Sequence, residues 1–402
     1  MYSRDYYLNR IRPFFGKPVV KVITGMRRVG KSCLLRIIKE ALIASGLQEE
    51  NILLIDKESL EFDFLATATD LYRHSIAYFG DLAGPKALLV DEIQEIEHWE
   101  RAVASILGRG DIDIVITGSN ASMFSVELAT KLSGRFVEFP VYSLSFSEFM
   151  AFRDSQCGPM DEEFRRYLRY GGLPGIHHMY LNDEIIFQYL KGIYSTILLK
   201  DIVSRHSIRQ VNLLERIAFF LFDNIGQIFS ANSIASFLKS QHLRIGVDTV
   251  ANYLRYFQDA LIAHKAPRYD IKGRRYLELY EKYYLGDTGL RHAVLGFRET
   301  DIAQILENVV YLELLRRQYE VSIGKIGDRE IDFIATRENQ KLYIQVTYLL
   351  ASPETMDREF SPLLAVDDNY PKMVLSMDTM LGNDFQGIKR MYLPDFLTSF
   401  PS

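Results

Sequence analysis

Apolar residues in the first 150 positions fall into short continuous runs, separated by longer segments with helical spacing. The runs cover 19–24, 51–55, 87–90 and 113–117, and the segment 31–44 repeats apolar residues every three or four positions. Strands that are apolar on both faces are typical of a parallel sheet covered by helices on each side. The pattern therefore predicts an α/β domain with a parallel sheet.

Beyond this region the pattern becomes helical, and glycine and proline interrupt it at 170–175. Short helices are predicted between 211 and 260, followed by a hairpin at 269–276. A helix at 307–318 and strands at 331–335 and 342–347 predict a second, smaller α/β unit. The chain is therefore divided into a parallel-sheet domain, a helical lid or linker, a segment of short helices with a hairpin, and a C-terminal α/β domain, with predicted boundaries 1–152, 153–210, 211–296 and 297–402.

The composition of the 402 residues narrows the class of protein without naming a function. Only two cysteines occur, Cys33 and Cys157, which excludes a disulfide framework and a Cys-rich zinc site. No run of about 18 apolar residues lacks a charge, and no apolar segment follows the first five residues. We therefore expect no membrane span, no signal peptide and a cytoplasmic location. The net charge of -5 argues against a dedicated nucleic-acid coat.

A glycine-rich turn, Gly25-Met26-Arg27-Arg28-Val29-Gly30-Lys31-Ser32, joins the first apolar run to the first helical segment. This Gly-x-x-x-x-Gly-Lys-Ser pattern is typical of a phosphate-binding P-loop, whose backbone N–H groups and helix N-terminus face the anion. Lys31 is expected to reach the β- and γ-phosphates of a nucleotide, and the Ser32 hydroxyl to ligate Mg²⁺. The context disfavours the alternative, a turn without a ligand. The expected nucleotide contacts are Gly25, Arg27, Arg28, Val29, Gly30, Lys31, Ser32 and Cys33.

Two carboxylates follow the third apolar run, where the chain reads Val90-Asp91-Glu92. Asp91 is the second expected Mg²⁺ ligand, acting through water, and Glu92 is the expected base that orients and deprotonates the attacking water. Solvated carboxylates at a strand end are the alternative, which the neighbouring P-loop disfavours.

Two further polar positions are candidates for catalysis. Asn120, with Ser119 as second choice, follows the fourth run, where a polar side chain contacts the γ-phosphate or the attacking water. Asn120 is equally suited to cap the following helix. Arg135 is expected to stabilise transition-state charge, either within its own subunit or in a neighbouring subunit of a homo-oligomer. The alternative for Arg135 is a surface or salt-bridge residue.

Taken in order, these motifs resemble a prokaryotic AAA-type ATPase family. The resemblance rests on the P-loop, Val90-Asp91-Glu92-Ile93-Gln94 with Trp99-Glu100, Thr117-Gly118-Ser119-Asn120, Leu132-Ser133-Gly134-Arg135 and Leu144-Ser145-Phe146-Ser147-Glu148-Phe149. Two later motifs, Tyr170-Gly171-Gly172-Leu173-Pro174 and Asp287-Thr288-Gly289-Leu290, extend it over nearly the whole chain. It implies a P-loop NTPase domain, ATP as the nucleotide and the roles given above for Asp91 and Glu92. It implies no cellular function.

The segment 211–296 resembles a winged helix-turn-helix, with helices at 230–240 and 247–260 before the hairpin. Lys272, Arg274 and Arg275 lie in the hairpin and are the residues expected to contact DNA phosphates. Residues 211–292 contain eleven Lys or Arg against eight Asp or Glu, which is a small basic excess. Binding of DNA and binding of a protein therefore both stay open for this segment.

The C-terminal segment resembles the PD-(D/E)XK nucleases, and so predicts a small restriction-endonuclease-like α/β domain. Glu307 and Asp332 match the metal-binding carboxylates, and Gln345 matches a tolerated ligand. Thr347 stands where a lysine is expected, and a hydroxyl supplies no positive charge to the phosphate or the attacking water. We therefore expect this fold without ordinary metal-dependent nuclease activity. The nearby lysines able to fill the gap are Lys325 and Lys341.

Three functions stay open on the sequence. The first is an ATP-hydrolysing switch or motor that acts on an unknown partner, with nucleic acid favoured. The second is an ATP-dependent DNA-processing nuclease, and the third is a nucleotide-gated protein-interaction module with slow turnover. Glu92 favours turnover and Thr347 argues against nuclease activity, so the sequence predicts an ATPase.

Overall fold

The computed structural model describes residues 4–121, 131–132, 134–243, 245–379, 382 and 384–399. The chain divides into two compact units, of which unit 1 comprises Met1–Val141 with the short segment Asp259–Leu261, and unit 2 comprises Tyr142–Gln258 and Ile262–Pro401. Unit 2 begins ahead of the predicted boundary at 152 and contains most of the other three predicted segments, with Asp259–Leu261 excepted. The predicted boundaries stay predictions. In the described ranges, none of the helices combines the length and the apolar character needed to cross a membrane.

Unit 1 is built on one parallel sheet. Its strands are β1 (Val20–Thr24), β2 (Ile52–Asp56), β3 (Lys86–Asp91), β4 (Ile112–Gly118) and β5 (Phe136–Pro140). They lie in the order β2-β3-β4-β1-β5, and each pairing is parallel. The described helices are α1 (Asp5–Ile11), α2 (Lys31–Ala44), α3 (Ala68–Phe79) and α4 (Trp99–Leu107). The predicted parallel sheet is confirmed, and β5, which the apolar runs did not reveal, adds an edge strand beside β1.

Burial explains why the apolar runs of unit 1 form strands. Every residue of β1 is buried, and so is every residue of β3 after Lys86. Leu88, Val90 and Ile114 of the sheet share one core cluster with Trp99 and Val103 of α4. Burial of each aliphatic side chain of this kind contributes about 1.5–3 kcal/mol, so the sheet is stable only where helices cover it.

A buried ion pair joins β1 to β4 near the amino edge of the sheet. Lys21 Nζ contacts the Asp113 carboxylate and donates to the Val19 carbonyl at 3.0 Å. Burial lowers the pKa of Lys21, and attraction to Asp113 opposes that shift. The other Asp113 oxygen accepts the Gly16 N–H at 3.0 Å. The pair therefore holds two neighbouring strands in register and anchors the loop before β1.

Unit 2 contains ten described helices. They are α5 (Phe146–Arg153), α6 (Met160–Tyr170), α7 (Asp183–Thr196), α8 (Val211–Asp223), α9 (Ala231–Ser240), α10 (Val247–Asp259), α11 (Thr288–Leu295), α12 (Ile302–Arg316), α13 (Pro353–Leu364) and α14 (Leu393–Thr398). A π-helix, Ile197–Ser204, follows α7 directly. Ser145 and Glu148 form a capping box at the start of α5, each side chain accepting the other residue's N–H. This contact gives the motif around Ser145 a structural role.

The strands of unit 2 form one mixed sheet. They are β6 (Ile228–Phe229), β7 (Ala263–Asp270), β8 (Arg275–Leu285), β9 (Glu320–Ile326), β10 (Arg329–Arg337), β11 (Gln340–Val346), β12 (Lys372–Ser376), β13 (Asp384–Phe385) and β14 (Ile388–Tyr392). Their order is β13-β14-β12-β11-β10-β9-β7-β8-β6. The predicted hairpin and the predicted C-terminal strands therefore share this sheet, because β7 of the hairpin pairs in parallel with β9.

Close packing explains two motifs of unit 2 to which the sequence assigns no chemistry. The buried Asp287 carboxylate accepts the Gly172 N–H at 2.7 Å. A Cβ at Gly171 would lie 2.3 Å from Asp287 Oδ1, and a Cβ at Gly289 would lie 2.1 Å from the Tyr170 carbonyl. Burial raises the pKa of Asp287 to about 6, although backbone hydrogen bonds favour its ionised form. These motifs therefore hold the start of α11 against the turn that follows α6.

Candidate nucleotide-binding site

The P-loop lies at the carboxyl edge of the parallel sheet, between β1 and α2. Arg28 and Gly30 have left-handed backbones, with φ of 70° and 99°, and such values favour glycine. A Cβ at Gly25 would lie 2.3 Å from the Val141 carbonyl, so this position has no space for a larger residue. The helix α2 begins at Lys31, and its first N–H groups face the loop. The loop therefore has the form that binds phosphate.

Lys31 places its charge between the loop and the end of β3. The side chain is 3 % exposed. Its Nζ donates to the Met26 carbonyl at 3.3 Å and lies 3.4 Å from Glu92 Oε1. The structure therefore brings together two residues that the sequence assigned to one site from separate motifs.

Asp91 is the last residue of β3, and its carboxylate accepts hydrogen bonds from two hydroxyl groups. The hydroxyls of Ser32 and Thr117 both hydrogen-bond to its carboxylate. Burial raises the pKa of Asp91, the two hydrogen bonds oppose this shift, and repulsion from Glu92 adds to it. Carboxylate and hydroxyl oxygens are ligands that Mg²⁺ takes together with water and phosphate oxygens. Ser32 and Asp91 therefore fit the metal that a P-loop implies, and its charge would favour the ionised carboxylate.

Glu92 follows the strand in a left-handed conformation, with φ of 49°. Its N–H donates to Thr117 Oγ1 at 3.0 Å. Burial opposes ionisation of its carboxyl group, but attraction to Lys31 and a hydrogen bond from Gln94 outweigh burial and lower the pKa. Glu92 is therefore ionised at neutral pH and has the form that accepts a proton from water.

The remaining P-loop residues differ in burial and in their contacts. The buried Arg4 donates to the Val29 carbonyl at 2.9 Å, which anchors the loop to α1. The buried Arg27 pairs with Glu58 at 2.8 Å. The structure thus gives two loop positions a partner within unit 1. Two further predicted contacts are exposed side chains, Arg28 and Cys33.

The tip of β4 provides two buried polar residues. Ser119 and Asn120 are 1 % and 2 % exposed. Ser119 Oγ accepts a hydrogen bond from Gln94 Nε2 at 3.4 Å, and the Ser119 hydroxyl also hydrogen-bonds to Glu92. The second-choice residue of the sequence analysis therefore contacts the expected base directly, and Asn120 lies beside it.

Arg135 lies at the opposite edge of the sheet from the P-loop of its own subunit. Its carbonyl accepts the N–H of Val20, which begins β1. The P-loop follows the last residue of β1, Thr24, which stands opposite Pro140 at the far end of β5. Five strand residues span about 16 Å, so the exposed Arg135 side chain does not join Glu92 within one subunit. Ser133 of the same motif lies outside the described residues.

The basic hairpin of unit 2 is exposed at its tip. Lys272, Arg274 and Arg275 are all exposed in or beside the turn between β7 and β8. Inside the turn, Asp270 Oδ1 accepts the Gly273 N–H at 3.0 Å. The parallel pairing of β7 with β9 supports the other side of the hairpin. The three cations are therefore accessible at one end of the sheet.

Buried ionisable residues cluster where the nuclease resemblance predicts carboxylates. Lys282 Nζ of β8 lies 2.7 Å from Glu330 Oε1 and 3.4 Å from Glu307 Oε2. The Tyr284 hydroxyl donates to Glu307 Oε2 at 3.2 Å. Burial raises the pKa of Asp332, and repulsion from Glu307 raises it further, whereas Lys282 opposes the shift. Among the described residues, no group of three or more His, Cys, Asp or Glu is arranged to hold a metal ion.

The other residues of the nuclease resemblance do not supply the missing cation. Gln345 Oε1 accepts the Asp332 N–H at 2.7 Å, and Thr347 is buried. Lys341 Nζ lies 4.9 Å from the centre of the Tyr370 ring. Lys325 is half-buried on the strand beside Glu330. The sequence named Lys325 and Lys341 as the alternative source of a cation, whereas the ammonium group that contacts these carboxylates belongs to Lys282.

Comparison with known proteins places the chain in a family. An uncharacterized protein of Haemophilus influenzae is 37% identical over 399 residues, which cover 99% of this chain and 98% of that protein. The chain belongs to the family of that protein. Residues 17–150 match the AAA domain, and residues 161–301 match a domain of unknown function, DUF8612. The uncharacterized protein MJ1544 of Methanocaldococcus jannaschii, a more distant relative, is 29% identical over 352 residues, 82% of this chain and 75% of that protein.

One solved structure supports the fold of this AAA-domain protein. The Walker-type ATPase of Pyrococcus abyssi superposes with a TM-score of 0.52 at 16% identity, covering 73% of this chain and 96% of that one. The AAA match contains the P-loop and the Asp91-Glu92 pair. The predicted AAA-type resemblance and α/β P-loop fold are therefore confirmed for the first part of the chain. The winged-helix and nuclease-like resemblances stay predictions.

Two residues of the AAA domain contact the acidic pair without having been predicted. Thr117 bonds both Asp91 and the Glu92 backbone, and Gln94 bonds the Glu92 carboxylate. Thr117 stands in the motif Thr117-Gly118-Ser119-Asn120, but its role depends on the parallel pairing of β3 with β4. Thr117 could have been found as a polar residue near the end of β4, the strand that pairs with β3.

Thr117→Val is expected to lower the free energy of unfolding by about 1–3 kcal/mol, because Asp91 loses a buried donor and the Glu92 N–H loses its acceptor. Thr117→Ser keeps the hydroxyl and should cost clearly less. Urea unfolding of the full-length protein, followed by a probe in unit 1, measures both changes. Equal stability of the two variants would show that the hydroxyl does not support the acidic pair.

Proposed function

We propose that this protein binds ATP with Mg²⁺ and hydrolyses it, as a switch or motor that acts on a nucleic-acid partner. The observation that carries the proposal is the convergence of Lys31, Ser32, Asp91 and Glu92 at the carboxyl edge of one parallel sheet. The match of residues 17–150 to the AAA domain supports the same function.

Each side chain has a separate task in the proposed reaction. Lys31 neutralises charge on the β- and γ-phosphates, and Ser32 and Asp91 hold Mg²⁺, which when bound stabilises the charge that develops on the phosphate oxygens. Glu92 takes a proton from the attacking water. The water oxygen forms a bond to the γ-phosphorus while the bond to the β–γ bridging oxygen breaks. ADP and inorganic phosphate are then released.

Other residues complete this proposed site. Ser119 and Asn120 at the tip of β4 are proposed to contact the γ-phosphate or the attacking water. Arg135 is proposed to serve the site of a neighbouring copy in a homo-oligomer. Its place at the amino edge of the sheet supports this role, because its own P-loop lies at the other edge.

A nucleic-acid partner is supported by features of unit 2. The order α8, β6, α9, α10, β7, β8 is the order expected of a winged helix, and the pairing of β6 with β8 supports this proposal. Lys272, Arg274 and Arg275 at the hairpin tip are exposed. They are proposed to contact phosphates of any sequence, since phosphate contacts carry no base information.

One observation favours a second function, cleavage of phosphodiesters by unit 2. The Lys282 ammonium group lies close to Glu307 and Glu330. It offers the positive charge that Thr347, at the expected lysine position, does not supply. Burial opposes the charge of Lys282, but the surrounding carboxylates outweigh burial and raise its pKa, so it stays protonated. The order α12, β9, β10, β11, α13, β12 also agrees with the nuclease resemblance.

The residues present fit a metal only in part. Mg²⁺ binds through one or two carboxylates when substrate phosphate and water complete its shell, so the absence of a three-carboxylate group among the described residues is compatible with it. In this second proposal Glu307 and Asp332 are the residues that would hold Mg²⁺, and Lys282 would stabilise charge on the phosphate. The ion would also offset repulsion between the two carboxylates, which raises the pKa of Asp332.

Lys31→Ala is expected to abolish ATP binding, because it removes the cation that faces the phosphates. Glu92→Gln is expected to bind ATP and to lose at least about 100-fold in turnover, because an amide cannot accept the proton. Calorimetric titration with ATP and steady-state phosphate release measure the two properties. Parent-rate turnover by Glu92→Gln would remove Glu92 as the base, and binding with negligible turnover by the parent would favour a nucleotide-gated interaction module.

Neutralising Lys272, Arg274 and Arg275 together is expected to weaken binding to every DNA sequence tested and to flatten its dependence on salt, because fewer counterions are released. Fluorescence anisotropy with short duplexes at several salt concentrations measures both effects. A matched control removes three exposed cations of unit 1 instead, by alanine substitution of Arg12, Lys17 and Arg36. Equal affinities and salt slopes in the two triple variants would remove the hairpin as the contact.

The second function, unlike the inactivity expected from Thr347, predicts that the parent protein cleaves DNA or RNA in Mg²⁺ or Mn²⁺ and that Asp332→Ala and Lys282→Met do not. Lys341→Ala is the control, because this lysine lies beside Tyr370 and outside the cluster. Gel assays with single- and double-stranded substrates, with and without ATP, measure the activity. No cleavage by the parent, or cleavage that survives in Asp332→Ala, would refute the second function.

A further inference from the structure

Gln94 connects the expected base to the neighbouring strand tip. It lies in a short turn, Ile93–Glu95, directly after the acidic pair. Its Nε2 donates to Glu92 Oε2 and lies 3.4 Å from Ser119 Oγ. One amide group therefore contacts a carboxylate that follows β3 and a hydroxyl that follows β4.

This contact determines how the Glu92 carboxylate is turned. Gln94 holds Oε2, whereas Oε1 lies 3.4 Å from Lys31 Nζ, the group that is expected to face the phosphates. A carboxylate turns easily about its terminal bond unless hydrogen bonds fix it. Contacts on both oxygens fix the plane of the group, with the Ser119 hydroxyl as a further partner of the carboxylate, and they leave Oε1 on the side of the P-loop.

The orientation of the Gln94 amide group is unfavourable for its own oxygen atom. Gln94 Oε1 is buried and has no hydrogen-bond partner among the described residues. A buried acceptor without a partner is unfavourable and calls for an explanation. Turning the amide over would place its oxygen against the Glu92 carboxylate, which also only accepts. The need of Glu92 for a donor therefore decides which way the amide faces.

The contacts of Gln94 are not those of a core residue. Its side chain is half-buried, and it donates hydrogen bonds to Glu92 and Ser119, both polar residues of the candidate site. Glu92 does not need Gln94 in order to keep its place after β3, because its backbone is already held by Thr117. The position is therefore better suited to orienting a group than to stabilising the fold.

We propose that Gln94 is a positioning residue for ATP hydrolysis, which fixes the Glu92 carboxylate and couples it to Ser119 at the tip of β4. The inference rests on the proposed ATPase function. A shift of Ser119, a residue proposed to contact the γ-phosphate, moves the base through the shared amide as well as through its own hydrogen bond to Glu92. Hydrolysis by Glu92 thus depends on what occupies the tip of β4.

The test compares Gln94→Leu with the parent in steady-state phosphate release and in calorimetric titration with Mg²⁺–ADP. Gln94→Leu is expected to lower kcat by about 10- to 100-fold, the effect of a misplaced reacting group, with the ADP affinity unchanged within about twofold. In a Glu92→Gln background, Gln94→Leu is expected to cause no further loss, because it acts through the base. Gln48→Leu makes the same exchange at an exposed position of unit 1 and serves as the matched control.

The coupling between Gln94 and Ser119 is tested separately, by combining substitutions at the two positions. Ser119→Ala is expected to lower kcat in the parent and to have a smaller effect in the Gln94→Leu background, so that the two losses are not additive. If Gln94→Leu does not fold, Gln94→Glu replaces it, since it keeps the size of the side chain and loses the donor at neutral pH.

The outcomes separate the inference from the proposed function. Parent-like kcat in Gln94→Leu, beside a parent that hydrolyses ATP and a Glu92→Gln variant that does not, would overturn the role of Gln94 alone. Additive losses in the Glu92→Gln background would also overturn it, because they would indicate an effect on the fold. A parent that releases no phosphate, or Glu92→Gln with full activity, would instead overturn the ATPase proposal.

Discussion

The site depends on keeping two adjacent carboxylates, Asp91 and Glu92, buried at the end of one strand. Burial and mutual repulsion both disfavour their charges, and each residue has a partner that offsets the cost. Lys31 lies 3.4 Å from Glu92, and the Thr117 hydroxyl contacts Asp91 while its oxygen accepts the Glu92 N–H. Lys31 begins α2 after the loop that follows β1, and Thr117 lies near the end of β4. A parallel sheet brings the carboxyl ends of its strands, and the loops that follow them, to one edge.

The pKa values of the two carboxyl groups shift in opposite directions, although the residues are neighbours in the chain. The pKa of Asp91 is raised, chiefly by burial, whereas attraction to Lys31 and the hydrogen bond from Gln94 outweigh burial and lower the pKa of Glu92. Pairs whose surroundings separate their pKa values commonly divide the work of a site. Asp91, beside the Ser32 hydroxyl, fits the metal, and Glu92, ionised and fixed in orientation, fits the proton acceptor.

The sequence predicted the features that follow from local patterns. Apolar runs gave β1 to β4, and the spacing of Gly25, Gly30 and Lys31 gave the loop between β1 and α2. The roles of Gln94 and Lys282 could not be read in this way, because they depend on which strands are neighbours. Lys282 lies on β8 in the predicted winged segment, and it reaches Glu307 only because the predicted hairpin and the C-terminal strands form one sheet.

Mg²⁺-dependent hydrolysis is tested best by measuring phosphate release from ATP by the purified protein against Mg²⁺ concentration. We expect turnover that requires Mg²⁺ and stops with excess chelator. We also expect that Asp91→Asn needs more Mg²⁺ than the parent to reach half of its maximal rate, because an amide holds the ion less strongly than a carboxylate. Turnover that is independent of Mg²⁺, or an Asp91→Asn variant with the parent's Mg²⁺ dependence, would contradict the proposed Mg²⁺-dependent hydrolysis.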